Sequence, residues 1–137
     1  MNFSDQWEPG ETGAHQRLDT FLDHAVVRYQ DDRNRPDIDG TSMLSAHLHF
    51  GEISPQQIIE KTNQAIDINK QQGIVANAES FVREIGWREF AYHLLYHFPH
   101  TTDRPLYEHF EDFPWKKNYS ANLRAWQQGQ TGIPLVD

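Results

Sequence analysis

Apolar residues fall at helical spacing along most of this chain, and no alternating run competes with them. That constrains the fold more than any other feature of the sequence. The stretch 81–98 reads FVREIGWREFAYHLLYHF, and Phe81, Ile85, Ala91, Leu94, Leu95 and Phe98 recur close to a helical period. This predicts one helix over 81–98, closed by Pro99 because the residue before a proline is pushed out of helical backbone. Ala14, Leu18, Phe21, Leu22, Ala25, Val26 and Tyr29 form a second stripe at spacings of three and four, which predicts a helix ending near Asp32. Residues 1–10 read as a lead-in loop, and the polar stretch 31–39 with Pro36 as a second loop.

Other helix boundaries have local causes. Ser54 is placed as an N-cap, Pro55 as the first helical residue and Gln57 as the return half of a capping box. Ile58, Ile59, Thr62 and Ile66 supply that helix with a buried face, and Gly73 is its predicted stop. Leu106–Phe113 reads as a short helix, and 114–118 as a turn. A helix from about Ser120 to Gln128 is expected to turn Leu123 and Trp126 inward and to stop at Gly129. Residues 131–137 read as the opening of another helix. No strand pattern, repeat or low-complexity segment interrupts these readings. The fold class they predict is all-α, an irregular multi-helix domain with loops longer than a simple bundle uses.

Composition limits what such a domain does. At 137 residues the chain is long enough for one core. There is no cysteine, which excludes disulfides and thiolate metal sites. No apolar run approaches the roughly 20 residues a spanning helix needs, so the expectation is a soluble cytoplasmic protein with no membrane partner. A formal charge of −8 argues against coating nucleic acid by bulk charge, though it leaves room for a local basic groove.

Two stretches carry chemistry. Glu84 and Arg88 lie four apart on the predicted helix beside Trp87, and the plain alternative is a surface ion pair next to a core tryptophan. Thr41, Ser42 and Ser45 bring three hydroxyls to a predicted helix start. Ordinary capping explains them, and free N–H groups with hydroxyl donors also suit a pyrophosphate. His93 and His97 have a metal-compatible spacing of four, but no third ligand accompanies them, so no metal is expected.

The strings themselves go further. Trp87-Arg88-Glu89-Phe90, with Glu84 three residues before the tryptophan, resembles the signature of DNA photolyases and cryptochromes in their helical FAD-binding domain. The run from Asp39 to Pro55, DGTSMLSAHLHFGEISP, is similar to the photolyase segment that holds the FAD diphosphate. The resemblance implies that Thr41, Ser42, Met43, Leu44 and Ser45 bind the cofactor, joined by Tyr29, Phe81 and Arg88. Phe81 stands where the family commonly has tryptophan. The resemblance further implies that Glu84 hydrogen-bonds the damaged bases, Trp87 stacks on them and Arg33 meets DNA phosphate. Trp115, in FPWKKN, matches the outermost tryptophan of the electron-transfer chain that photoreduces FAD.

The resemblance runs from Trp7 to Asp137 and is greatest to a bacterial class I cyclobutane pyrimidine dimer photolyase. It implies a partial FAD-binding domain over 1–137, with the antenna α/β domain and the C-terminal part of the FAD domain absent. The implied parent is a deoxyribodipyrimidine photo-lyase acting on UV-damaged DNA. Light excites reduced FAD, an electron passes to the dimer, the ring splits and the electron returns. The parent's antenna pigment is not expected on this piece, and the truncated chain alone is expected to be inactive. A cryptochrome photoreceptor, repair of (6-4) photoproducts and an inactive helical interaction module are the alternatives. Self-association of the truncated chain is expected, because surfaces that pack on the parent's remainder are left open.

Overall fold

The computed structural model of the chain describes residues 7–69 and 72–137. Among them there is no strand, as an all-α class requires. One helical segment opens the fold: α1 (Glu11–Thr20), a π turn (Phe21–Ala25), a 3-10 turn (Val26–Arg28) and α2 (Tyr29–Asp32). Four helices follow, α3 (Ser45–His49), α4 (Pro55–Asn69), α5 (Gln72–His97) and α6 (Ser120–Gln127). Two short 3-10 turns, Pro99–Thr102 and Glu108–Phe110, lie between α5 and α6. The chain divides into two compact units, one up to Leu94 and one from Leu95 to Asp137.

The core of the first unit is the stripe read from the sequence. Ala14, Leu18, Phe21, Val26 and Tyr29 are buried, with Leu44 and Leu48 around α3, Ile53 and Ile58 at α4, and Ala78, Phe81 and Ile85 from α5. The step of five residues from Phe21 to Val26 has a backbone cause. The Val26 N–H donates to the Phe21 carbonyl, an i→i+5 bond that widens the helix by one residue. Without that π turn, Val26 would be rotated away from the core. The α4 start is also as read. The Ser54 N–H donates to Gln57 Oε1 at 2.8 Å and the Gln57 N–H to Ser54 Oγ at 3.2 Å, a reciprocal capping box.

Several boundaries differ from the reading. The central helix begins at Gln72 rather than Phe81, so Gly73 lies inside α5 and does not terminate α4, which runs to Asn69. Glycine is a weak stop when the residues after it can still propagate helix. Phe98 falls just beyond the end of α5, as Pro99 dictates. Of the apolar residues read along this helix, Phe81 and Ile85 are buried, whereas Leu95 and Phe98 are exposed. The first six positions of the lead-in loop lie outside the described residues. Leu106–Phe113 contributes one 3-10 turn instead of a helix.

The second unit buries little. Leu123 and Trp126 on α6 are exposed, contrary to the inward placement expected of them. Gly129 does stop α6, and it does so at φ 60°, a left-handed conformation that glycine adopts without a Cβ clash. Residues 131–137 form a turn and not a helix. Asp137 closes it by accepting from the Thr131 N–H, the Thr131 hydroxyl and the Gly132 N–H at 2.7, 2.6 and 2.8 Å. Those bonds hold the Asp137 carboxyl below its ordinary range. No helix among the described residues is long and apolar enough to cross a membrane.

Candidate functional site

In the first unit the 29–33 stretch meets 81–92 through Arg33 and Glu84, and Leu48 meets it through Arg88, while Thr41, Ser42 and Met43 line a separate cleft. Asn77 on α5 ties down the end of the first helical segment. Its Oδ1 accepts from the Gln30 N–H at 2.7 Å, and its Nδ2 donates to the Val27 carbonyl at 2.9 Å. The Gln30 side chain returns to the Ala76 carbonyl at 3.1 Å. These bonds fix α2 against α5 at a defined register. One consequence is that Arg33, just past α2, meets Glu84 on α5 across 51 positions of sequence.

Glu84 and Arg33 form an ion pair with a hydrogen bond from Arg33 Nη1 to Glu84 Oε1. The Arg33 guanidinium also lies over the Tyr29 ring, 5.6 Å from its centroid. The bond to Glu84 raises the Arg33 pKa further above its already high value. Burial pushes the Tyr29 phenol up, while the nearby Arg33 charge pulls it down. Sequence spacing had offered Arg88 as Glu84's partner, but each takes another. Arg88 pairs with Glu89 at 3.1 Å and donates to the Leu48 carbonyl at 3.1 Å and the Tyr92 hydroxyl at 3.0 Å. Arg88 therefore pins α3 to α5.

Trp87 is no core tryptophan. Its indole is 63 % exposed, edge-on to Phe90 at 5.8 Å between centroids, and one helical turn from Glu84. Phe81 and Tyr29, by contrast, are buried. They meet at 5.5 Å, and both pack on Phe21, at 4.6 and 5.6 Å. They form the floor beneath the ion pair, with little surface of their own for a ligand to touch.

The hydroxyl segment has a different character from an ordinary helix start. Thr41, Ser42 and Met43 line a cleft of about 650 Å³ together with Trp7, Arg17, Phe21, His24 and Asp39. Met43 sits at φ 54°, in the left-handed region that residues with a Cβ rarely adopt. Such strain costs about 1–3 kcal/mol and clusters where backbone has a task beyond folding. Gly40 lets the segment approach α2 closely, because a Cβ there would lie 2.6 Å from the Asp32 carbonyl oxygen. Ser45 is the first residue of α3 and is exposed, while the Leu44 side chain is buried in the core, leaving only its backbone for a ligand. Two hydroxyls and the Arg17 guanidinium give this cleft donors of the kind that hold the phosphate end of a nucleotide cofactor, and the Glu8 and Asp39 carboxylates share its lining.

On the buried side of α3, His47 is a residue that stood out in the sequence by no motif of its own. It is 2 % exposed, and its Nδ1 lies 2.6 Å from Glu52 Oε2. Trp7 packs on its ring at 5.8 Å, and Arg17 lies over Trp7 at 5.2 Å. The signal was there to be read, as a histidine five residues before a glutamate across a glycine turn. Among the described residues no group of three or more His, Cys, Asp or Glu is placed to hold a metal.

Trp115 belongs to the second unit. It is 73 % exposed in the turn after Glu108–Phe110, with Phe113 at 4.6 Å between ring centroids. Lys116, Lys117 and Tyr119 share its cleft of about 710 Å³.

Residues 81–137 match the family described as the FAD binding domain of DNA photolyase. The chain is 42 % identical over 137 residues to a deoxyribodipyrimidine photo-lyase of Agrobacterium fabrum, covering 99 % of this chain and 27 % of that protein. It is 36 % identical over 136 residues to Cryptochrome-1 of Arabidopsis thaliana, covering 96 % and 20 %. In three dimensions it superposes on a bacterial class III photolyase from Agrobacterium tumefaciens with a TM-score of 0.87 at 40 % identity, covering 98 % of this chain and 27 % of that one. That structural relative is of class III, whereas the sequence strings had pointed to class I. The chain thus spans between a fifth and about a quarter of the length of these relatives.

Proposed function

We propose that this chain, similar over nearly its whole length to DNA photolyases and cryptochromes, forms the first part of the helical FAD-binding domain of a deoxyribodipyrimidine photo-lyase. In this reading 1–137 is a portion of a larger cytoplasmic protein that also carries an antenna domain and the rest of the flavin site. Its substrate is UV-damaged DNA, and its reaction is light-driven cleavage of the cyclobutane ring of pyrimidine dimers. The observation that carries the reading is Trp87. A large, open indole one turn from a carboxylate is costly to leave in water, and it is what two linked, extruded bases of one strand would stack on.

The residues divide the work by position. Trp87 holds the flipped dimer by stacking, worth roughly 1–3 kcal/mol per base. Glu84 hydrogen-bonds the bases and stabilises the negative charge that develops on them. Arg33 reaches DNA phosphate. Thr41, Ser42 and the backbone of Met43, Leu44 and Ser45 hold the FAD diphosphate. Bound, reduced FAD supplies the photoexcited electron. Tyr29 and Phe81 act from below, as the floor that keeps Arg33 and Glu84 in place. Arg88 acts on the cofactor side through α3, by fixing the helix that follows the hydroxyl segment. Trp115 is the outer relay for reducing the flavin. Self-association of the isolated chain belongs to the same reading.

Light-dependent repair by the complete protein, assayed on an oligonucleotide with a single thymine dimer, tests this function. Repair under blue light with reduced FAD, and none in the dark, is the expected result. A light-responsive flavin without repair would instead favour a cryptochrome, the reading that the 36 % identity to Cryptochrome-1 keeps in play.

A further inference from the structure

The contact between Arg33 and Glu84 joins a residue assigned to DNA phosphate with a residue assigned to the damaged base. A guanidinium is always charged, and here it already has an anion. Both side chains are about a third exposed, 30 % for Arg33 and 38 % for Glu84, so the pair opens directly to solvent. Its geometry is not an accident of two flexible surface chains. Arg33 is anchored by its N–H to the Tyr29 carbonyl at 3.0 Å, and its guanidinium rests on the Tyr29 ring. Glu84 rises from α5 one turn after the buried Phe81, and the bonds of Gln30 to Asn77 and Ala76 hold α2 to α5. The fold thus positions Arg33 between an internal carboxylate and whatever anion approaches from outside.

We propose that this pair is a selectivity latch. Without a lesion, Glu84 withholds Arg33 from the DNA backbone. A flipped dimer engages the Glu84 carboxyl and frees Arg33 for phosphate. The inference rests on the proposed repair function for the two residue roles. Base contact and phosphate contact are then coupled, and coupling of this kind is reciprocal. The latch lowers affinity for undamaged DNA, which outnumbers any lesion, while dimer-bearing DNA loses little because its own contacts replace the pair. In a chain whose twelve Lys and Arg are outnumbered by twenty Asp and Glu, restraining a cation that faces the DNA has a visible effect on nonspecific binding.

A double-mutant cycle in the complete protein, read in the dark by DNA binding over a salt series, tests the latch. Glu84→Gln is expected to raise affinity for undamaged duplex about two- to fivefold, the range an exposed ion pair of up to ~1 kcal/mol converts to. It is also expected to steepen the salt dependence by about one phosphate contact. In an Arg33→Ala background the same change is expected to do neither. Glu84→Ala serves as a second allele, and Glu79→Gln, on α5 away from Arg33, measures the effect of removing a negative charge alone. The latch is overturned by a gain that persists in Arg33→Ala, by a gain that Glu79→Gln matches, or by no gain at all. The dimer-bearing duplex under light reads the repair function separately. Normal repair with no gain on undamaged DNA would remove the latch and leave that function standing.

Discussion

At the scale of single residues, burial separates two aromatics that the sequence places on one helix. Trp87 is open and Phe81 is closed, so removing them has opposite signatures. Trp87→Ala leaves the melting temperature of the complete protein nearly unchanged and weakens binding to dimer-bearing DNA by at least about fivefold, the lower end of a stacking loss. Phe81→Ala removes a ring that touches Phe21 and Tyr29, and truncating a buried phenylalanine costs about 3–5 kcal/mol, so the protein melts well below the parent temperature. Thermal melts alongside titration calorimetry separate the two. The His47–Glu52 contact gives a second residue-scale expectation. The hydrogen bond from His47 holds the Glu52 carboxyl below its ordinary 4.5, helped by a backbone bond at Gly10. A carboxyl whose pKa is depressed by folding stabilises the fold at pH values above its unfolded value, and that contribution fades as pH falls through the folded one. Wild type is therefore expected to lose more stability than Glu52→Gln between about pH 5 and the acid limit. Equal slopes for the two proteins in acid melts would contradict this.

At the scale of elements, the α4 capping box was legible because both partners lie within four residues of each other. Ser54→Ala removes the Oγ that accepts the Gln57 N–H and is expected to cost about 1 kcal/mol, with Ser54→Thr nearly neutral, both measured by chemical denaturation. The opening stripe was legible for the same local reason. The π turn within it was not, because the i→i+5 bond from Val26 to Phe21 absorbs one extra residue that the apolar spacing does not mark. Likewise the start of α5 at Gln72 could not be read from a glycine at 73, whose weak helix propensity is overridden by context. The site residues divide along the same line. Thr41, Ser42, Trp87 and Glu84 stood out as strings. The meeting of Arg33 with Glu84, and of Arg88 with the Leu48 carbonyl, depends on helix register across 51 and 40 positions, and local spacing had suggested a Glu84–Arg88 pair instead. Leu123 and Trp126 were misplaced because α6 is amphipathic in sequence, and the pattern alone does not say what covers its apolar face.

At the scale of the molecule, the two units differ in how completely they bury their apolar residues. The buried hydrophobic cluster lies wholly within the first unit, whereas Tyr107, Phe110, Phe113, Trp115, Tyr119 and Trp126 in the second are all exposed. Trp87 and Tyr96 add further open aromatic surface on α5. Large exposed apolar patches mark surfaces that associate, and each square ångström left open costs roughly 25 cal/mol relative to burial. Covering even 400 Å² of it would therefore be worth about 10 kcal/mol, comparable to the whole stability of a domain. The isolated 137-residue chain is accordingly expected to self-associate, with sedimentation showing mass that rises with concentration across the micromolar range. It is also expected to lose FAD on gel filtration. Thr41, Ser42 and Met43, proposed for the phosphates, line an open cleft, and Tyr29 and Phe81 are closed into the core, so among the described residues these two offer little surface to a flavin ring. The two expectations share one cause, incomplete cover, and they make a joint prediction. Joining this chain to the remainder of a photolyase should yield a monomer that keeps its flavin. A monodisperse monomer of the isolated chain that retains the yellow chromophore through the column would refute both at once.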